Sequence, residues 1–405
     1  MLSKIQKRKL FLAAGVLYAA ASIGHAVMQR RYALHSKNME TSSTRRTDLP
    51  TLDVIIPVHN EVPERLYETL QSIDGQYPSD KLNVYLVDDG SKNRHHLDPI
   101  YEKYRGRPGW HILLLEENVG KRRAQDAAFQ ISNGEMFLTG DGDSPFLPDS
   151  FLPMVTRMRE DDQVGAVAGK VSVANKNKNW LTRLLAERYR QMFELERAAQ
   201  GKFGAVWTCT GPISLYRRSL LDPLWSDYLN QTYKGSLCLS GDDLQLTNLV
   251  IAAGFQAVYE SKAEARTYVP ETLREYWSQQ TRWNRSMFRD QCPTIRSSIY
   301  RSRCSGNWFP LVDTLVRTYF PLLLVFPPAL SIVHALKRTS ARDGMTVMLS
   351  MLSVRAIITY WNSKPELVSR ARYTVVYGAI HVFALVPARI RAYLTRGNSN
   401  WVTRL

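Results

Sequence analysis

Asp53-Val54-Ile55-Ile56-Pro57-Val58-His59-Asn60-Glu61 is the stretch that decides the fold. A short β-branched apolar run that stops at a polar cluster reads as a buried strand with a loop at its C-terminal end. A helical pattern through Leu66 to Ile73 follows it. The same grammar recurs outward from it. Val84-Tyr85-Leu86-Val87 runs into Asp88-Asp89-Gly90-Ser91, and Met136-Phe137-Leu138-Thr139 runs into Gly140-Asp141-Gly142-Asp143-Ser144. Strands alternating with helical patterns from about Thr51 to Asp290 predict an α/β domain with a mainly parallel sheet. Polar residues just past three strand ends lie where open α/β sheets place their ligands. The block contains no internal repeat or low-complexity tract.

The chain has 405 residues, 44% hydrophobic, with 53 basic against 37 acidic side chains and a net charge of +16. That excludes a disordered chain, a collagen-like chain and a small disulfide scaffold. Cys209, Cys238, Cys292 and Cys304 form no CxxC pair, so neither a zinc site nor a disulfide framework is indicated and reduced thiols are expected. A mean hydropathy of −0.27 hides apolar ends. Leu10 to Met28 is uncharged and nearly long enough to span about 30 Å of hydrocarbon. It reads as a retained membrane helix, with a cleaved signal peptide as the alternative. Tyr319 to Leu336, Gly344 to Trp361 and Arg372 to Leu394 form three further apolar segments, broken by Pro327, Pro328, Arg355 and Pro387. Such interruptions fit a bundle that lines a polar path, the alternative being amphipathic helices lying in the interface. Basic residues bracket the middle block, as expected of a cytosolic domain near anionic lipid. No nucleic-acid motif is present.

The strand ends carry the chemistry. Asp141 and Asp143 form a D-x-D that offers hard oxygen ligands to Mg2+ or Mn2+, although solvated acidic turns share that pattern. Gly120-Lys121-Arg122-Arg123 adds cations suited to phosphate oxygens. Ser240-Gly241-Asp242-Asp243 opens a helical run and is either an N-cap with dipole compensation or the seat of a carboxylate general base. Gln279-Gln280-Thr281-Arg282-Trp283 joins a guanidinium to an indole, a pairing suited to diphosphate and a sugar face. The bland alternative is a surface arginine beside an interfacial tryptophan.

Taken together, Pro57 to Glu61, Asp88 to Ser91, Gly120-Lys121-Arg122, Asp141-Gly142-Asp143, Gly211-Pro212, Gly241-Asp242-Asp243 and Gln279 to Trp283 resemble, in order and approximate spacing, the processive family 2 glycosyltransferases. Hyaluronan synthases and rhizobial NodC-type chitin-oligosaccharide synthases are the most similar in motif. The resemblance implies a GT-A-like nucleotide-sugar-binding domain with membrane helices at both ends. Asp88 would contact uracil, with Glu61 and Lys121 nearby. Asp141 and Asp143 would hold the metal, Asp243 would be the base, and Gln279, Arg282 and Trp283 would form the acceptor and diphosphate site. Trp401, Thr403 and Arg404 would close over the nucleotide. The reaction would be an inverting displacement that joins UDP-sugars into a β-linked chain, with no covalent glycosyl intermediate.

Leu244 stands where these relatives usually place Arg, and Gly142 where they usually place Ser. Thr281 to Ser286, Asn230 to Tyr233 and Ser214 to Tyr216 look more like hyaluronan synthases, whereas the single N-terminal apolar segment looks more like NodC. The first expectation is a hyaluronan synthase using UDP-GlcNAc and UDP-GlcA. The alternative uses UDP-GlcNAc alone. The expected partners are those donors, the growing polysaccharide and membrane lipid, with no nucleic acid. The expected division is 1–48 for the membrane helix and linker, 49–290 for the cytosolic transferase, 291–397 for interfacial and transmembrane helices, and 398–405 for a gating segment. A multi-pass protein of the plasma membrane follows. A transporter or scaffold would explain the apolar ends but gives no reason for acids at three strand ends.

Overall fold

The computed structural model describes residues 4–36, 49–323, 341–364 and 369–397. Nine strands are named in chain order: β1 Leu52–Val58, β2 Leu82–Asp89, β3 Trp110–Leu115, β4 Met136–Thr139, β5 Val164–Val173, β6 Ser214–Arg217, β7 Thr232–Tyr233, β8 Ser236–Leu237 and β9 Gln256–Thr267. Seven form one sheet in the order β3-β2-β1-β4-β6-β5-β9. The pairs β1–β2, β2–β3, β1–β4 and β5–β9 are parallel; β6 runs antiparallel to both β4 and β5. The sheet is therefore mixed but mainly parallel. The β7–β8 ribbon is separate.

β1 is central because its residues tolerate burial on both faces: Leu52, Val54, Ile55 and Ile56 are fully enclosed. The one charge in the strand, Asp53, is also enclosed and is satisfied by Asn83 Nδ2 at 2.9 Å and the Gly134 N–H at 2.5 Å. Pro63 starts the following helix, Pro63–Gln71, at a position where its missing N–H costs nothing. β1, β2 and β4 all end at the same edge, which collects His59 to Glu61, Asp89 and Asp141 to Asp143.

Helices close the space above that edge. Helix Asp242–Ala252 begins at Gly241, whose φ of +89° is a left-handed value that favours glycine. A Cβ there would also lie 2.7 Å from Ser286 Cβ. Helix Leu273–Arg289 starts with a reciprocal capping box between Thr272 and Glu275. The segment 279–283 lies inside this helix. A π-helical turn, Met192–Arg197, interrupts the helix after Gln191 and carries Glu196 and Arg197.

The N-terminal helix Lys4–Ser36 packs on helices Ala341–Asn362 and Phe309–Leu323. Its Tyr18, Ala26 and Ala33 are buried, as are the polar Ser22, His25 and Gln29. Among the described residues one helix, Arg370–Leu394, is long and apolar enough to cross a membrane. Tyr319 to Leu336 is described only as far as Leu323; Pro327 and Pro328 lie outside the described residues.

Candidate active site

A cavity of about 750 Å3 lies between the sheet edge and the helices and reaches down to the N-terminal helix. Glu61, Lys121, Asp141, Asp143, Asp243, Gln279, Arg282 and Trp283 all line it. Glu61 and Trp283, 222 positions apart in sequence, line the same cavity.

Lys121 is the electrostatic hub. Its ammonium donates to Asp141 Oδ1 at 2.6 Å and lies 3.3 Å from Asp242 Oδ2. Burial opposes the charge, but Asp141 and Asp242 outweigh it and hold the Lys121 pKa well above its ordinary value. Asp242 is likewise kept ionised below the usual carboxylate range, because Lys121 and then Arg122 overcome its burial. Asp243 differs: burial and the adjacent Asp242 charge push its carboxyl up to about 6. Two neighbouring acids are thus driven apart by one cation, the pattern expected where one of them exchanges protons. The cation that seemed lost at Leu244 is supplied from another element. Lys121 reaches across from the first position of helix Lys121–Phe129, and Arg122 bonds Gln245 Oε1 within the helix that carries the acids.

Arg122 is itself buried and donates to the carbonyl of Tyr228 at 2.9 Å and to Gln231 Oε1 at 2.8 Å. Gly142 lies against β1: a Cβ there would approach Glu61 Cγ to 3.1 Å and Val58 Cγ2 to 3.3 Å. Glycine at this position therefore seats the acidic loop closely on the end of β1.

The sequence model of glycosyl transferase family 2 matches residues 53–225. An N-acetylglucosaminyltransferase of Neorhizobium galegae is 37% identical over 402 residues, covering 97% of this chain and 89% of its own. A second, from Mesorhizobium japonicum, is 35% identical and covers 96% and 90%. The chain belongs to glycosyltransferase family 2. A mannosyltransferase from Pyrobaculum calidifontis, solved with GDP-Man and Mn2+, superposes with a TM-score of 0.59 at 18% identity over 95% of this chain and 98% of that one. That likeness establishes the GT-A fold. The protein is a glycosyltransferase, and the names of its rhizobial relatives back the reading with UDP-GlcNAc alone better than the hyaluronan reading that the local spellings put first.

Within this family 2 enzyme one expectation needs correction. Asp88 does not line the cavity: it is fully enclosed, and its carboxylate accepts from Arg94 at 2.7 Å, Tyr101 Oη at 2.5 Å and the Ser91 N–H at 2.8 Å. Those partners hold its pKa below the ordinary value against burial. Strand alternation decides the matter, since adjacent residues point to opposite faces. Asp89 is the one that faces the cavity, and its carboxylate takes the N–H groups of Val119 at 2.7 Å and Gly120 at 3.0 Å. It thereby seats the loop that delivers Lys121. Period-two reading of Asp88-Asp89 could have raised Asp89, but not which face was open. Trp401, Thr403 and Arg404 lie outside the described residues.

Asp141 and Asp143 supply the donor chemistry that a divalent metal takes. Both face the cavity and offer hard oxygens two residues apart. Among the described residues no group of three or more His, Cys, Asp or Glu is arranged to hold an ion. Two carboxylates without a full protein cage fit an ion completed by substrate phosphates and water.

Proposed function

We propose that this protein is an inverting, processive N-acetylglucosaminyltransferase of the chitin-oligosaccharide type, using UDP-GlcNAc as its single donor. Support for the sugar comes from relatives named N-acetylglucosaminyltransferase that align along nearly the whole chain. The observation that carries the mechanism is that the D-x-D loop, Asp243, Gln279, Arg282 and Trp283 line one cavity. Asp141 and Asp143 would hold Mg2+ or Mn2+, which when bound neutralises charge on the donor diphosphate. Asp243 takes the proton of the acceptor hydroxyl as that oxygen attacks the anomeric carbon from the face opposite the leaving group. Its raised pKa makes it a stronger base than an ordinary aspartate, while Lys121 and Arg282 stabilise the charge developing on the departing UDP. Trp283 lines the cavity and is 40% exposed, and offers its face to the terminal sugar. Glu61 and Asp89 border the nucleotide.

The chain sits in a membrane with its transferase domain cytosolic. Supporting this is the apolar helix Arg370–Leu394, contiguous with the cavity wall at Arg389. The test is UDP release by purified protein with Mn2+ or Mg2+ from UDP-GlcNAc alone against the same donor plus UDP-GlcA. Release with the single donor, giving chitinase-sensitive oligomers, is the expected result. A requirement for both donors with a hyaluronidase-sensitive product overturns it in favour of the hyaluronan reading.

A further inference from the structure

Ser240, which precedes Gly241 and the acids Asp242 and Asp243, is held from two sides by buried guanidinium groups. Its carbonyl accepts from Arg122 Nη2 at 3.4 Å and from Arg289 Nη2 at 3.4 Å, and its hydroxyl accepts from Arg289 Nη2 at 2.6 Å. Arg122 follows Lys121, whereas Arg289 ends helix Leu273–Arg289, which carries Gln279, Arg282 and Trp283. The donor and acceptor sides of the site thus meet just before the first turn of the helix that carries Asp243. We propose that Arg289 is a positioning residue for the transfer step, fixing the acceptor helix against Ser240 so that an acceptor hydroxyl and Asp243 come into register. The proposal rests on the reading of Asp243 as general base and extends it to a residue behind the cavity wall.

Arg289 is 9% exposed, yet its hydrogen-bond partners are neutral. Besides Ser240 it donates to Ser286 Oγ at 3.1 Å and lies beside the Cys238 thiol. The adjacent Asp290 turns its Oδ1 to Gln231 Nε2 at 2.5 Å instead. A buried charge without a carboxylate partner is weak support for stability, and an apolar side chain of similar volume could fill the same space. Placement gives a reason for arginine, because charge-assisted hydrogen bonds are short and directional. Arg282, Ser286 and Arg289 are spaced by four and three residues and so share one face of their helix. A tilt of that helix therefore moves Arg282 and the anchor on Ser240 together. Helix Asp242–Ala252 has other ties to the body: Asn248 Nδ2 donates to Thr294 Oγ1 at 3.0 Å, and Leu246 and Val250 are enclosed. Ser240 Oγ also keeps Ser286 Oγ at 3.3 Å. Losing Arg289 thus leaves the helix seated and frees its first turn.

The experiment compares the full chain in detergent with Arg289→Met, Arg289→Lys, Ser240→Ala and the double variant Arg289→Met with Ser240→Ala. It reads kcat and KM for UDP-GlcNAc from product formation, and UDP affinity by calorimetry as the report of an intact donor site. Arg289→Met is expected to lose about 20-fold in kcat with donor KM and UDP affinity within about twofold of wild type, because only the geometry between acceptor and base is lost. Arg289→Lys keeps the charge and one donor and is expected to fall about fivefold short of wild type. Ser240→Ala is expected to lose about fivefold, and the double variant to match Arg289→Met within about twofold, as two residues acting through one contact require. Wild-type kcat in Arg289→Met overturns the positioning role, and so do losses in the double variant that multiply. Asp243→Asn is measured alongside to separate the two readings. Near-wild-type kcat in Asp243→Asn overturns the base reading itself; a large loss there with unchanged kcat in the Arg289 variants overturns the positioning role alone.

Discussion

A carboxylate that must accept a proton from a sugar hydroxyl works best when its pKa is near the working pH, and Asp243 is brought there by burial and by Asp242. The sign follows directly: below pH about 6 the carboxyl is protonated and cannot act as base. Turnover is expected to fall about tenfold per pH unit on the acid side, read from a kcat profile with donor and acceptor saturating. Asp243→Asn is expected to lower kcat by about 10²–10⁴-fold while UDP affinity, measured by calorimetry, stays within about twofold. Asp143→Asn should instead weaken Mn2+-dependent UDP binding, and equal loss in both variants would sink the separation of roles. At Gly241 the left-handed φ and the Ser286 contact act together. Gly241→Ala is expected to cost about 1–3 kcal/mol, seen as a lower thermal unfolding midpoint.

Helix Asp242–Ala252 is positioned by its neighbours more than by its own sequence, since Gly241 provides no side-chain cap. Arg122 does much of this, linking Gln245 of that helix to Gln231 and to the Tyr228 carbonyl. Replacing Arg122 by Met would leave those buried acceptors unpaired, at about 1–3 kcal/mol for each one stranded. Arg122→Met is therefore expected to lower the unfolding midpoint and to reduce kcat more than it raises the donor KM. A variant with unchanged stability and kcat would show that the helix holds its place without this anchor. The motif Gly120-Lys121-Arg122 thus divides its labour: Lys121 faces the site and Arg122 faces the core beneath it.

Across the whole molecule one buried polar chain ties the ends together. His25 of the N-terminal helix meets Asp313 at 2.7 Å, Gln200 donates to the same carboxylate at 2.6 Å, and Arg317 links it to Glu196, which Arg188 also holds at 2.7 Å. Breaking such a pair strands a buried charge, so Asp313→Ala is expected to cost about 3–5 kcal/mol by thermal unfolding in detergent. Loss of under about 1 kcal/mol would mean that water reaches Arg317 and replaces the carboxylate. The network borders the cavity and joins the N-terminal helix to helix Phe309–Leu323 and to the π-helical turn.

The strands and their acidic ends were legible because β-branched runs and turn residues act over a few positions. β1, β2 and β4, the acids Asp141 and Asp143 and the acids at the start of helix Asp242–Ala252 all lie where local pattern puts them. Which acid of Asp88-Asp89 faces the cavity was not legible, because strand alternation says that the two differ and only the packing of Arg94 and Tyr101 says which is enclosed. The meeting of Lys121 with Asp141 and Asp242, and of Arg317 with Glu196, depends on contacts between residues far apart in the chain. Charge pairing and burial are properties of three-dimensional distance, so sequence determined the kinds of groups present and the tertiary structure decided which of them meet.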